Sequence, residues 1–277
     1  MRTLIINADD LGANPQRSHG IFHCVEFGVV TSVSLVCNGS DSEAAGRRAR
    51  ERDIPTGFHL NLTDEYPLAK PGDIESLIET HGSFLGYDRL IAALEKEEVD
   101  EEHLRREIRA QIEWFFDHRG VMTHASSHQH IHVHPVIARV LLPILEHYGT
   151  RFVRVPSEPL PPFGFEISTE QLQEARRISQ QADAFRSLLN AHSIGSSDHF
   201  RGLAFLGNVS MRNMRHIMSR LPEGVTELMV HPGAQVTMGT PFDCDPQRQT
   251  ELQMLTDPST AALLSERKIV LGSYAEM

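Results

Sequence analysis

The 277-residue sequence is short of cysteine, short of positive charge and without any long apolar run, and each shortage removes a class of protein. Its three cysteines, Cys24, Cys37 and Cys244, form no close pair and leave an odd total, so neither a disulfide framework nor a cysteine zinc site is expected. Cys24 lies in a helical pattern and Cys37 ends a strand-like run, where small thiols serve as core filling. Lys and Arg number 26 against 37 Asp and Glu, a formal net charge of −11 that repels phosphate backbones and anionic lipid. Nucleic acid and membrane partners are therefore not expected. The apolar run at 4–6 meets Asp9 and Asp10 before a signal-peptide core could form, and no other run is long enough to span a bilayer. A reducing, cytoplasmic setting is the expectation.

What is present is an alternation of strands and helices. The β-branched run at 3–8 predicts a strand and 15–27 a helix; a strand at 30–36, a helix at 42–52 and a strand at 57–62 repeat the grammar. A helix over 100–118, a strand over 121–126, a helix over 135–147 and a short strand at 151–155 follow, then a helix near 169–190. The chain closes with a strand at 225–230, a helix over 246–266 and a strand at 268–272. Segment 64–88 is broken by Pro67, Pro71 and several glycines, and the Pro-rich stretch 156–162 opens a second irregular stretch, so both look like insertions. Alternating elements imply parallel pairing with crossover connections. An α/β fold of irregular (β/α) barrel type, one domain over 1–277 with two loop insertions, is the simplest expectation, and a doubly wound open sheet is the alternative.

Chemistry collects at the C-terminal ends of the proposed strands: Asp9 and Asp10 after the first, His59 in the third, His128 after the fourth, Arg154 after the fifth and His231 near the end. That edge is where α/β folds build their sites. Neighbouring side chains on a strand diverge, so of Asp9 and Asp10 one carboxylate can face a metal and the other a reacting water. Residues 127–135 place His128, His130, His132 and His134 at alternating positions, but the turn into the helix at Pro135 should break their alignment and let only one or two reach a common ion. One carboxylate and two imidazoles leave coordination positions open for water and a substrate oxygen, as a hydrolytic metal requires.

These motifs resemble the YdjC-like family, which includes the chitooligosaccharide deacetylases. The matching segments begin with Asn7-Ala-Asp-Asp-Leu-Gly12, Gly57-Phe-His-Leu-Asn-Leu-Thr63 and Ser127-His-Gln-His-Ile-His132. Arg154-Val-Pro156, Glu227-Leu-Met-Val-His-Pro-Gly233 and Arg248-Gln-Thr-Glu-Leu252 complete the set, in the family's order. The resemblance implies an irregular barrel related to the NodB-like polysaccharide deacetylases, a homodimer, and removal of an acetyl group from an N-acetylated sugar or oligosaccharide. It also implies that Asp10, His59 and His128 hold one divalent metal ion, magnesium or zinc. In the same reading Asp9 is the catalytic base, His231 the acid, and Arg154 orients Asp9. His130 and His132 are candidate substrate contacts, and Asp198 and His199 resemble a substrate-side segment of the family. One departure is visible: Asp64-Glu65-Tyr66 stands where the family usually has a glycine before the Pro-Leu pair, here Pro67-Leu68.

Two other readings use the same residue types. A metal-dependent phosphoesterase or amidohydrolase barrel usually opens with a His-x-His pair on its first strand, whereas this first strand ends in Asp9-Asp10. A non-catalytic sugar-binding relative would not need the full set of ligands, base and acid.

Overall fold

Leu4, Ile5 and Ile6 are fully buried, and such a run, apolar on both faces, belongs in the middle of a covered parallel sheet. That is where the computed structural model, which describes residues 1–160, 167–237 and 239–277, places it. The described residues form seven strands, β1 (Arg2–Leu11), β2 (Ser32–Val36), β3 (Thr56–Leu60), β4 (Ala125–Ser127), β5 (His199–Arg201), β6 (Gly224–Val230) and β7 (Ile269–Leu271). They lie in the order β4-β3-β2-β1-β6-β5, all parallel, with β7 against the first residues of β1. Beyond β4 the curl continues through single bridges from Ala125 to Val153 and from Phe152 to Gly195. Among the described residues no pairing joins Gly195 to β5, so the sheet is a curled, incompletely closed barrel. The expected strand at 151–155 is reduced to those bridges, and the one expected at 121–126 begins only at Ala125.

The helices are α1 (Pro15–Phe27), α2 (Ser42–Glu51), α3 (Tyr87–Glu95), α4 (Glu101–His118), α5 (Pro135–His147), α6 (Thr169–Leu189) and α7 (Met211–Ser219), then α8 (Pro241–Cys244), α9 (Gln247–Thr256) and α10 (Pro258–Glu266). Helix α1 starts where Asn14 accepts the Arg17 N–H and Pro15 fixes the first turn; Asp100 caps α4 in the same way. The single helix expected over 246–266 is two, because Pro258 cannot continue α9 and instead opens α10 with Asp257 as its cap. Helices α3 and α7 and the three-residue strand β5 were not expected from pattern; all three are short, and β5 is too brief for alternation to register. The last two residues of the Pro-rich stretch, 161 and 162, lie outside the described residues.

Gly57 shows how tightly β3 meets its neighbour: a β-carbon there would lie 2.3 Å from Cε1 of His124, whose ring packs flat against Tyr274 with centroids 4.0 Å apart. This close approach brings the ends of β3 and β4 into register, His59 opposite Ser126, with His128 next beyond β4.

Candidate active site

The two aspartates owe their aim to a bulge. Ala8 and Leu11 of β1 pair with Val33 and Leu35 of β2, so three steps on one strand match two on the other, and Asp10 takes up the extra residue with φ of 66°. The simple alternation expected from sequence would have turned Asp9 and Asp10 to opposite faces; the bulge turns both toward the same cleft. Both are buried, at 2% and 3% exposure, so their charges need compensation.

Asp10 meets two imidazoles. Its Oδ1 is 3.4 Å from His59 Nε2 and 3.0 Å from His128 Nδ1, and one ligand atom from each of the three residues falls within 4.8 Å of the others. His59 is prepared for ligation by a hydroxyl chain. Ser126 donates to Ser34 Oγ at 3.0 Å, so the 2.7 Å contact between Ser126 Oγ and His59 Nδ1 is a bond donated by the ring, which leaves the lone pair on Nε2 facing Asp10. A carboxylate and an imidazole lone pair, with a second imidazole beside them, suit a divalent cation. Burial alone would raise Asp10, but His128, bonded to it and pushed toward its charged form, holds its carboxyl well below the usual range. Burial would likewise lower His128; Asp10 and Asp64, on its two ring nitrogens, instead push it up to about 10.

Asp9 answers to Arg154. The guanidinium donates to both carboxylate oxygens, at 2.5 and 2.7 Å, while Asn7 donates to Oδ1 at 2.8 Å. Arg154 is also bound to Glu227 Oε1 at 2.7 and 2.8 Å, and Glu227 Oε2 accepts the Tyr274 hydroxyl at 2.6 Å. Against the upward push of burial, the Arg154 guanidinium keeps Asp9 ionised.

His231 follows β6 as Asp9 follows Ala8 in β1, since Ala8 and Val230 are partners. Its Nε2 is 3.9 Å from Asp9 Oδ2, its backbone N–H donates to Glu251 at 2.5 Å, and its ring meets the edge of Phe242 at 5.4 Å. Glu251 is itself paired with buried Arg248 at 2.9 Å. Burial pushes His231 down to about 3, although Asp10 and Asp9 act in the opposite sense.

These groups floor a cavity of about 850 Å³, walled by Tyr87 of α3, by Gln171, Glu174 and Ile178 of α6, and by Phe242 and Asp243 of α8. The four alternating histidines part company in a 3-10 turn over His128–Val133, where Gln129 and His130 take left-handed backbone, φ 53° and 56°. His130 lines the cavity, and its buried Nδ1 has no protein hydrogen-bond partner among the described residues. His132 turns away: Ser127 and the Arg154 carbonyl hold its two nitrogens at 2.6 and 2.9 Å, and Phe185 packs on its ring. The expectation that it contacts substrate gives way to one of bracing the Arg154 backbone. Asp198 and His199 are also set apart. Parallel pairing puts His199 opposite Thr226, toward the start of β6, where Asp198 accepts the Val225 N–H at 2.8 Å and His199 meets the Glu223 carbonyl at 3.0 Å. Both belong to the edge of the sheet opposite the cavity, so a substrate contact for them is not supported.

Sequence reasoning passed over Asn7, Ser34, Ser126, Glu227, Tyr274 and Asp64, which hold the reactive groups rather than being them. Asn7 and Glu227 lay inside the quoted segments and Asp64 at the noted departure; the serines gave no signal, since nothing in a short polar residue announces a partner 92 positions away.

The profile of the family described as YdjC-like protein matches residues 3–266. The chain is 33% identical to a carbohydrate deacetylase of Homo sapiens across 99% of this chain and 90% of that one. It belongs to the YdjC-like family. A carbohydrate deacetylase of Geobacillus stearothermophilus is 29% identical over 99% of this chain and 98% of its own. Among solved structures, a candidate cellobiose-phosphate cleavage protein of Enterococcus faecalis V583 superposes with a TM-score of 0.77 at 24% identity, covering 99% and 98% of the two chains, and shows the same fold.

Proposed function

We propose that this YdjC-like chain is a carbohydrate deacetylase that hydrolyses the N-acetyl group of an amino sugar or short oligosaccharide, using one divalent cation held by Asp10, His59 and His128. The observation that carries the reading is the meeting of those three residues within 4.8 Å, beside an Arg154-clamped Asp9 and beside His231. The curated relatives named carbohydrate deacetylase support it over the full length of the chain.

An amide resists water, so a nucleophile, an oxyanion acceptor and a proton for the amine are all needed. Held by Asp10, His59 and His128, a divalent cation would supply a Lewis acid and would draw the pKa of water down to roughly 7, as in favourable zinc sites, so that even so weak a base as the Arg154-bound Asp9 could act. Asp9 takes the proton at Oδ2, the oxygen 3.9 Å from both His59 Nε2 and His231 Nε2. His231 then protonates the departing nitrogen. Because burial keeps its ring neutral at rest, the proton it passes on is one received during the reaction, by way of Asp9. Arg154 fixes the Asp9 carboxylate and His130, with a free ring nitrogen, is the histidine suited to bind the sugar. The cavity of about 850 Å³ has room for more than one sugar ring.

Zinc and magnesium are both compatible with one carboxylate and two imidazoles, zinc the better matched to nitrogen donors. A homodimer, a single catalytic unit over 1–277 and a cytoplasmic setting belong to the same proposal; three unpaired cysteines fit a reducing compartment, and no described helix is long and apolar enough to cross a membrane. Amine release from diacetylchitobiose, with ion-stripped and ion-restored protein side by side, tests the activity. Failure to release amine with either zinc or magnesium, together with phosphate release from an aryl phosphate, would transfer the site to the phosphoesterase reading.

A further inference from the structure

His59 and His128 reach Asp10 with different ring nitrogens, Nε2 of the former and Nδ1 of the latter. A neutral imidazole carries one proton, so a ring that offers Nδ1 to a cation must be protonated at Nε2. Asp64 Oδ2 lies 2.9 Å from Nε2 of His128, the place where that proton has to be accepted. We propose that Asp64 is a positioning residue for the cation site, selecting the Nε2-protonated tautomer of His128 and turning its Nδ1 lone pair toward Asp10 and His59.

The loop is built to deliver this carboxylate. Asn61 and Asn38 donate their side-chain amides to the Asp64 carbonyl, at 2.9 and 3.2 Å, and the Asp64 N–H returns to Asn61 Oδ1 at 3.1 Å. Glu65, with φ of 69°, then turns the chain away. The Asp64 side chain is half exposed, and a surface ion pair of that kind contributes little to folding, so stability alone does not account for three side-chain bonds fixing its backbone. A carboxylate behind a ligating imidazole orients the ring and strengthens it as a donor. His59 is served from the opposite side by the Ser126 hydroxyl, a neutral acceptor, so the two imidazoles are unequal and His128 is the one whose donor strength rests on a charge.

The inference rests on the cation reading of the site and is separable from it. Ion-stripped wild type, Asp64→Ala and Asp64→Asn are titrated with zinc by calorimetry under chelator competition. The zinc-loaded proteins are then compared by long-range ¹H–¹⁵N correlation of the histidine rings, with His128→Gln assigning the signal. The expected result is zinc on Nδ1 of His128 and a proton on Nε2 in wild type, with affinity lower by roughly 10–100-fold in Asp64→Ala. Asp64→Asn, whose side-chain carbonyl still accepts the proton, recovers part of that loss and keeps the tautomer. Equal zinc affinity in wild type and Asp64→Ala, or zinc on Nε2 of His128, overturns the role of Asp64 and leaves the cation site standing. Absence of stoichiometric uptake by wild type overturns both.

Discussion

Arg154 holds Asp9 by both carboxylate oxygens, at 2.5 and 2.7 Å, while the same guanidinium is pulled from the other side by Glu227. All three side chains are at most 2% exposed, so one buried cation stands between two buried anions, with the Tyr274 hydroxyl closing the far end. Such a triad contributes little net stability when intact, because desolvation offsets attraction, but removing one member is costly. Its use in the proposed mechanism is to keep the carboxylate next to the candidate cation site ionised and still.

Arg154→Met should therefore destabilise the protein by about 3–5 kcal/mol, because Asp9 and Glu227 are left buried without a counter-charge. Urea denaturation gives the measurement. A midpoint equal to that of wild type would mean that water reaches the pair and that the burial described above is not what holds it.

Acid should separate the same two proteins. A carboxyl whose native pKa is depressed stabilises the fold above its unfolded value, 3.8 for Asp9, and that contribution is lost as pH falls toward the native value. Without Arg154, the largest influence against the upward push of burial, Asp9 keeps only weaker partners such as the Asn7 amide and loses much of its depression. Wild type should weaken between roughly pH 4 and 2, and Arg154→Met should show a shallower fall from its lower starting point. Denaturant midpoints at neutral pH and at roughly pH 3 are to be compared for the two proteins.

Within the proposed mechanism, Asp9→Asn and His231→Ala should lower turnover by roughly 10²–10⁴-fold each with the cation still bound. His59→Ala should lose cation and turnover together. Elemental analysis beside an amine-release assay sorts the two groups, and a His231→Ala protein running at full rate would remove that ring from the chemistry.

Cation uptake should expel a proton. Asp10 and Asp64 push His128 up to about 10, so the ring is charged at pH 8, whereas a ligating ring is neutral. Zinc titrated at roughly pH 8 should thus release about one proton per ion, and affinity should rise with pH through that range. Calorimetry in two buffers of different ionisation enthalpy counts the proton; a count of zero would place the zinc elsewhere.

How much of this was legible in the chain differs from residue to residue. The strand at 3–8 and the helix at 15–27 were readable because a run of buried apolar residues and a capped helical period are local signals, and β1 and α1 follow them. The alternation of elements likewise implied parallel strands with their polar ends on one edge. Asp9, Asp10, His59, His128 and His231 were candidates for that reason. Sequence could not foresee that one extra residue in β1 turns both aspartates inward, because a bulge depends on the register of a neighbouring strand. Nor could it sort His130, which faces the cavity, from His132, which is tied to Ser127 and the Arg154 carbonyl. Asp198 and His199 looked like partners of the site until pairing with β6 set them at the other edge.

Local pattern and ordered motifs were enough to establish the alternating α/β grammar, the family and the residue types available for chemistry. Tertiary structure alone decided which of those residues meet, which nitrogen each histidine presents, and that Glu227, Ser126 and Asp64 support them. Orientation is fixed by partners far away in the chain, and hydrogen bonds between side chains dozens to hundreds of positions apart leave no periodic trace.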